Sequence, residues 1–170
     1  MDQTAFKAFY HKTSKPLWAY SYRISGDADT ANDIVQEAYL RFLQKPGEST
    51  NEQQMKAYLY AIATRLNLDR WKHTKVKEKW LPHFFHHRHG EVEHIEERIG
   101  LRADMGKIFQ ELNPPERALL WLAYVEEQPH RSIAEILGLK EKSVRVMLFR
   151  ARNKLAVMLK KRGIGTEVTL

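Results

Sequence analysis

SIAEILGLKEKSVRVMLFRARNKL, residues 132–155, decides how the chain is read. Residues 132–139 have the pattern of a short helix running into a tight turn. Ala134 is small enough to let a second helix cross close by, and Gly138 can take the positive φ the turn requires. A longer helix is expected from about Glu141 to Arg162, ended by Gly163. At about 100° per residue, Val144, Leu148, Ala151 and Leu155 share one side, which is the side to bury. The opposite side carries Lys142, Val146, Phe149 and Asn153, flanked by Arg145 and Arg150. Arg can bond a guanine edge twice, Asn can do the same with adenine, and Val and Phe can touch a thymine methyl. The other cations would hold phosphates and set register. An exposed Phe between arginines is hard to justify on a merely solvated helix, so DNA is the expected ligand of this face.

Working outward, Asn113-Pro114-Pro115-Glu116 is a strong helix start, with an Asn cap, Pro in the first turn and a Glu that can close a capping box. Helical periodicity continues towards the N-terminus, and no alternating strand pattern persists. Met105, Ile108 and Leu112 extend a stripe that begins at Ile95 and Ile99. Met55, Tyr58, Leu59, Ile62 and Leu66 mark one face of a helix ending near Lys72. Asp27 or Asp29 can cap a helix running to about Gln44, and Leu17 to Ser25 reads as a helix ended by Gly26. The fold class is therefore all-α. Two small helical domains, residues 1–73 and 95–163, are joined by a flexible linker at 74–94, and 164–170 form a tail.

Charge is unevenly spread. The 170 residues carry 28 Lys and Arg against 21 Asp and Glu, a net +7, and the pI is about 9.6. Between residues 26 and 55 there are six acids against Arg41 and Lys45, whereas residues 140–162 hold nine bases against Glu141 alone. Such blocks point to different partners for different faces, one of them a polyanion. On the acidic helix Ile34, Val35, Ala38 and Phe42 form the apolar side. Asp33, Gln36, Glu37 and Leu40 share the other, where Asp33 and Glu37 repel at four residues' spacing. That face suits a basic protein partner, though an ordinary exposed helix would also carry it. On the next helix Tyr60, Thr64, Asn67 and Trp71 lie opposite the apolar stripe, with Arg65, Arg70 and Lys72 to the sides. Aromatics among cations serve stacking and charge on single-stranded nucleic acid. The residues equally allow Tyr60 and Trp71 to pack on neighbouring helices.

Several classes are excluded or disfavoured. No apolar run approaches the roughly 18–20 residues of a membrane span, and no secretory signal pattern opens the chain. With no Cys, neither a disulfide scaffold nor a Cys-ligated metal is available; a cytoplasmic location is expected. There is no HExxH, no Gly-rich phosphate loop and no nucleophile with a base–carboxylate pair, so no catalytic residues, no cofactor and no resident metal are expected. His83, His86, His87, His89 and His94 cluster in the linker. Incidental polar histidines are the simplest account, and a metal- or pH-responsive linker is the alternative.

Three segments together resemble the sigma-70 family of bacterial RNA polymerase initiation factors, and the layout resembles its extracytoplasmic-function group. Residues 29–42, DTANDIVQEAYLRF, are similar to the family's polymerase-binding helix, with Asp33, Gln36 and Glu37 as its Asp-x-x-Gln-Glu core. Residues 57–71, AYLYAIATRLNLDRW, resemble the helix that meets the −10 promoter element and its melted strand. Residues 112–155 resemble the domain that reads the −35 element. The chain departs from the family pattern at Arg65, Ser132, Lys142-Ser143 and Val146-Met147, so no promoter consensus carries over. The resemblance implies a non-catalytic subunit that docks on core bacterial RNA polymerase, on the β′ clamp and β subunits, through Asp33, Gln36, Glu37, Leu40 and Arg41. It implies contacts to the melted −10 strand through Tyr60, Thr64, Arg65, Asn67, Arg70, Trp71 and Lys72. It implies −35 contacts to duplex promoter DNA through Lys142, Ser143, Arg145, Val146, Phe149, Arg150 and Asn153. An anti-sigma factor is the further implied partner. A free-standing helix-turn-helix regulator is the competing reading, and it has no use for the acidic face.

Overall fold

Asp2 and Gly26 bracket the first helix. The computed structural model describes residues 2–44, 51–80 and 103–164. Helix α1, Gln3–Ser25, starts where the Asp2 carboxylate accepts from the Ala5 amide at 2.7 Å. It ends at Gly26, whose φ of 74° lets its N–H reach back to the Tyr22 carbonyl. The helix is longer than the sequence suggests, because Pro16 lies inside it rather than before it. A proline removes one helical donor. Here tertiary contacts keep the first turns in place: Phe9 stacks on Phe42 with centroids 5.3 Å apart, and the Thr13 hydroxyl lies 2.6 Å from that of Tyr39.

Helix α2, Ala28–Gln44, is capped by Asp27, which accepts from the Thr30 amide at 2.7 Å. Its Ile34, Val35, Ala38 and Phe42 are buried, as expected. Helix α3, Glu52–Trp80, runs on past Lys72 into the stretch expected to be linker. Residues 73–80 contain neither Gly nor Pro, and the first breaker is Pro82, which disfavours helix in the residue before it. The rest of the expected linker, with the five clustered histidines, lies outside the described residues.

Among the described residues four more helices follow: α4 (Ala103–Gln110), α5 (Pro114–Tyr124), α6 (His130–Leu137) and α7 (Glu141–Lys161). The capping box at α5 is complete, with Glu116 N–H on the Asn113 side chain and Asn113 N–H on the Glu116 carboxylate, each at 2.9 Å. Gly138 takes a φ of 64° between α6 and α7, the turn the sequence called for. All described secondary structure is helical. No helix among the described residues is long and apolar enough to cross a membrane.

The N-terminal and C-terminal helices do not stand apart. α1 packs on α5, and α3 packs on both α5 and α6. Leu17, Ile34 and Leu59 belong to the same buried cluster as Leu119, Ile133 and Val144. Three tyrosines, Tyr20, Tyr39 and Tyr60, are buried with it, and burial raises the pKa of each, that of Tyr39 to about 12. Unfolded, each would ionise near pH 10. The stability they supply is therefore complete below about pH 10 and is lost as the pH rises through their folded values. Arg117, lowered to about 10 by burial, acts in the opposite sense above that pH. With three groups against one, the melting temperature is expected to fall as the pH rises above about 10, with tyrosine ionisation following unfolding in spectrophotometric titration.

Candidate nucleic-acid and polymerase interfaces

The outer face of α7 is open. Lys142, Arg145, Val146, Phe149, Arg150 and Asn153 are all exposed, Phe149 by 57%, while Ser143 is half-buried near the helix start. Val144, Leu148 and Ala151 are buried beneath, so periodicity assigned the two sides correctly. The cations along this helix and at its C-cap differ in what they meet. Lys154 pairs with Glu116 at 2.8 Å, Arg162 pairs with Glu111, and Arg152 donates to the Tyr124 hydroxyl at 3.2 Å. Among the described residues Lys142, Arg145 and Arg150 have no such partner, and they flank the exposed Val146 and Phe149. An unpartnered set of three cations around two apolar side chains is what a groove-reading helix needs.

The outer face of α2 is open as well. Leu40 is 56% exposed and Leu43 48%, which adds Leu43 to the apolar part of this face. Asp33, Gln36 and Arg41 are exposed and Glu37 is half-buried. Glu37 accepts from Arg41 at 2.6 Å along the helix, and Asp33 lies 3.6 Å from Arg70 of α3. Both are surface pairs, which hold little energy and can be exchanged for a partner's cations.

The face of α3 is where the structure corrects the sequence. Tyr60, Thr64 and Asn67 are not on an outer face but are buried, at 1%, 2% and 3% exposure. The deepest line of α3 is Leu59, Tyr60, Ala63, Thr64 and Asn67, because α3 is covered by α1 and α2 on one side and by α5 and α6 on the other. Polar side chains enter this line by bonding their own helix: Thr64 donates to the Tyr60 carbonyl at 2.7 Å and Asn67 to the Ala63 carbonyl at 3.0 Å. The Tyr60 ring packs 5.1 Å from that of Tyr20, whose hydroxyl lies 2.6 Å from Thr64 Oγ1. Arg65, Arg70 and Lys72 remain exposed, and Trp71 is half-buried with Lys75 Nζ 4.5 Å from its ring centre. The basic, aromatic end of the helix is thus open and its middle is closed.

Two polar junctions join the N-terminal helices to the C-terminal ones, and sequence reasoning found neither. Glu126, at the end of α5, accepts from Lys56 Nζ at 2.8 Å and from the Tyr60 hydroxyl at 2.9 Å, and its side chain is only 7% exposed. Glu127 beside it takes a φ of 50°, a left-handed conformation uncommon for a residue other than Gly, and so turns the chain between α5 and α6. At the other junction Arg117 and Gln110 donate to the Arg23 carbonyl, at 3.1 and 3.2 Å, and Arg117 also donates to Gln110 Oε1. This satisfies a carbonyl in the last turn of α1, where a cation is favoured. These partners lie 66 to 94 residues apart in the chain, and no local pattern announces them. Among the described residues no three His, Asp or Glu side chains could hold a metal ion.

Residues 9–76 match the family Sigma-70 region 2, and residues 102–155 match Sigma-70, region 4. Together the two matches cover more than two thirds of the chain. The chain is 27% identical over 178 residues to the ECF RNA polymerase sigma factor SigL of Mycobacterium tuberculosis, covering 96% of this chain and 93% of that one. It is 27% identical over 154 residues to the ECF sigma factor SigE of Mycolicibacterium smegmatis, covering 88% of this chain and 60% of that one. The fold is similar to that of the sigma factor RpoE of Bartonella quintana, solved in complex with the anti-sigma factor NepR. The TM-score is 0.72 at 20% identity, covering 92% of this chain and 97% of that one. Two region families in the right order, relatives of one kind and a shared helical fold agree that the chain belongs to the sigma-70 family, in its extracytoplasmic-function group.

Proposed function

We propose that this alternative sigma factor divides its work among three helices. Like its family, it binds core RNA polymerase and promoter DNA; the assignment of each task to particular residues is our reading. Asp33, Gln36, Glu37, Leu40 and Arg41 on α2 dock on the polymerase clamp. Lys142, Ser143, Arg145, Val146, Phe149, Arg150 and Asn153 on α7 enter the major groove at the −35 element. Arg65, Arg70, Trp71 and Lys72 on α3 hold the melted −10 strand, while Tyr60, Thr64 and Asn67 are buried beneath them in the form described. The observation that carries this reading is the simultaneous exposure of an acidic face on α2 and a cationic, partly apolar face on α7. A free-standing regulator would need only the second.

No catalysis is assigned to the chain: promoter opening draws on binding free energy spread over both halves. A cytoplasmic location follows from that work. An anti-sigma factor is the proposed inhibitor, by analogy with the complex in which RpoE was solved. The test is transcription in vitro from genomic DNA with core bacterial polymerase, with and without this protein, mapping transcript 5′ ends. New discrete starts sharing an upstream motif are expected. Absence of new starts, with core polymerase active alongside another sigma factor, would count against the assignment.

A further inference from the structure

We propose that Lys56 Nζ and the Tyr60 hydroxyl form a binding subsite for a backbone phosphate of single-stranded DNA, and that the Glu126 carboxylate occupies this subsite while the chain is closed. The inference rests on the reading of α3 as the strand-binding helix, and it adds a residue, Lys56, that no motif singled out.

The geometry carries it. A carboxylate held by an ammonium at 2.8 Å and a phenol O–H at 2.9 Å stands where an anionic oxygen is wanted. The donors belong to the N-terminal half and the acceptor to the C-terminal half, so parting the halves leaves two aligned donors on α3 with no acceptor. At about 100° per residue Arg70 falls on the same side of α3 as Lys56, and the two mark a cationic line that a strand's backbone would follow.

The contact between the halves is also imperfect in a way that favours release. Asn67 Oδ1 is buried without a hydrogen-bond partner among the described residues. Arg117 is buried on carbonyl groups, with no acidic side chain paired to it among the described residues. Each such group destabilises the closed form relative to one in which water or a ligand satisfies it. Opening therefore frees Asn67 and the Lys56–Tyr60 pair together, and the closed form masks the middle of α3 with an acid that imitates the ligand.

The test uses the full chain, fluorescently labelled oligo(dT) and anisotropy. The chain lacks Cys, so Lys7→Cys and Lys160→Cys, both at exposed positions, accept a dye pair that reports the separation of the halves. Glu126→Gln keeps the shape of the side chain and removes its charge. The expected result is a wider dye separation and about tenfold tighter oligo(dT) binding, since apparent affinity scales with the open fraction. Adding Lys56→Met to Glu126→Gln should undo most of that gain and lower the salt slope by about 0.7, one phosphate contact on a single strand.

If Lys56→Met alone tightens binding as Glu126→Gln does, Lys56 is only a fastening and the subsite is overturned. Unchanged separation together with unchanged binding in Glu126→Gln, with helicity intact, overturns the masking by Glu126 and leaves the reading of α3 standing. Wider separation with unchanged binding overturns both, because an uncovered α3 would then have no affinity for a strand.

Discussion

Lysine at both Asp33 and Glu37 is expected to abolish assembly with core RNA polymerase while leaving the fold intact. The two side chains are 67% and 41% exposed, whereas the helix's contribution to the core is Ile34, Val35, Ala38 and Phe42. The structural cost is limited to two surface pairs, Asp33 with Arg70 and Glu37 with Arg41, worth well under about 1 kcal/mol each. The cost at an interface is larger. Reversing a charge replaces attraction by repulsion, and like charges brought together cost several kcal/mol in a desolvated contact. Two reversals four residues apart on one face act on the same partner surface. Gel filtration with core polymerase should show no holoenzyme, and the melting temperature should stay within a few degrees of the parent. Holoenzyme formation at undiminished affinity would show that α2 meets polymerase elsewhere. Reversal of Arg41 to Glu offers a useful contrast. It removes the cation that shields Glu37 at 2.6 Å, and weaker binding is not expected to approach the loss from the double change.

How far the chain could be read without coordinates differs from helix to helix, for physical reasons. α7 was legible because its two faces differ in kind: Val144, Leu148 and Ala151 are apolar and buried, while the opposite side is charged and open. α5 announced itself through Asn113 and Glu116, since a capping box is a local device whose partners are three residues apart. α3 was not legible in the same way. Counting apolar residues put its core on Met55, Tyr58, Leu59, Ile62 and Leu66, yet Tyr58 is 37% exposed and Asn67 only 3%. Thr64 and Asn67 are polar by composition, but both satisfy themselves on carbonyls of their own helix and so can be buried. Nothing in a periodicity argument distinguishes such a residue from a solvated one.

The approach of the two halves was beyond reach for a different reason. Glu126 meets Lys56 across 70 residues and Arg117 meets the Arg23 carbonyl across 94, and the chemistry of an acid at a helix end does not specify which cation it will find. The early turns of α1 were missed because Pro16 reads as a helix start, whereas its lost bond is tolerated inside a helix held by Phe9 and Thr13.

Replacing Arg150 with Ala is expected to weaken binding to the −35 element by about 1–3 kcal/mol, from about fivefold to over a hundredfold, if its guanidinium bonds a base edge twice. Arg150 is exposed beside Phe149 and, among the described residues, is committed to no acid, unlike Lys154 on the same helix and Arg162 at its C-cap. Its loss therefore leaves the fold's own ion pairs untouched, and melting should not change. The kind of loss matters as much as its size. A base-reading arginine relaxes specificity at one promoter position. A phosphate-holding cation weakens all sequences alike and lowers the salt slope by about one. Lys142, at the start of α7, is the natural control for the second behaviour. Equilibrium binding of the Ala variants to promoter duplexes carrying single base changes, at several salt concentrations, separates the two. A uniform loss for Arg150, indistinguishable from that of Lys142, would move it from base reading to backbone positioning. Sequence reading would then rest on Val146, Phe149 and Asn153, whose apolar and amide contacts favour thymine and adenine over guanine. The promoter recovered by transcription mapping would decide between these outcomes, since a guanine in the upstream motif requires a donor such as Arg145 or Arg150.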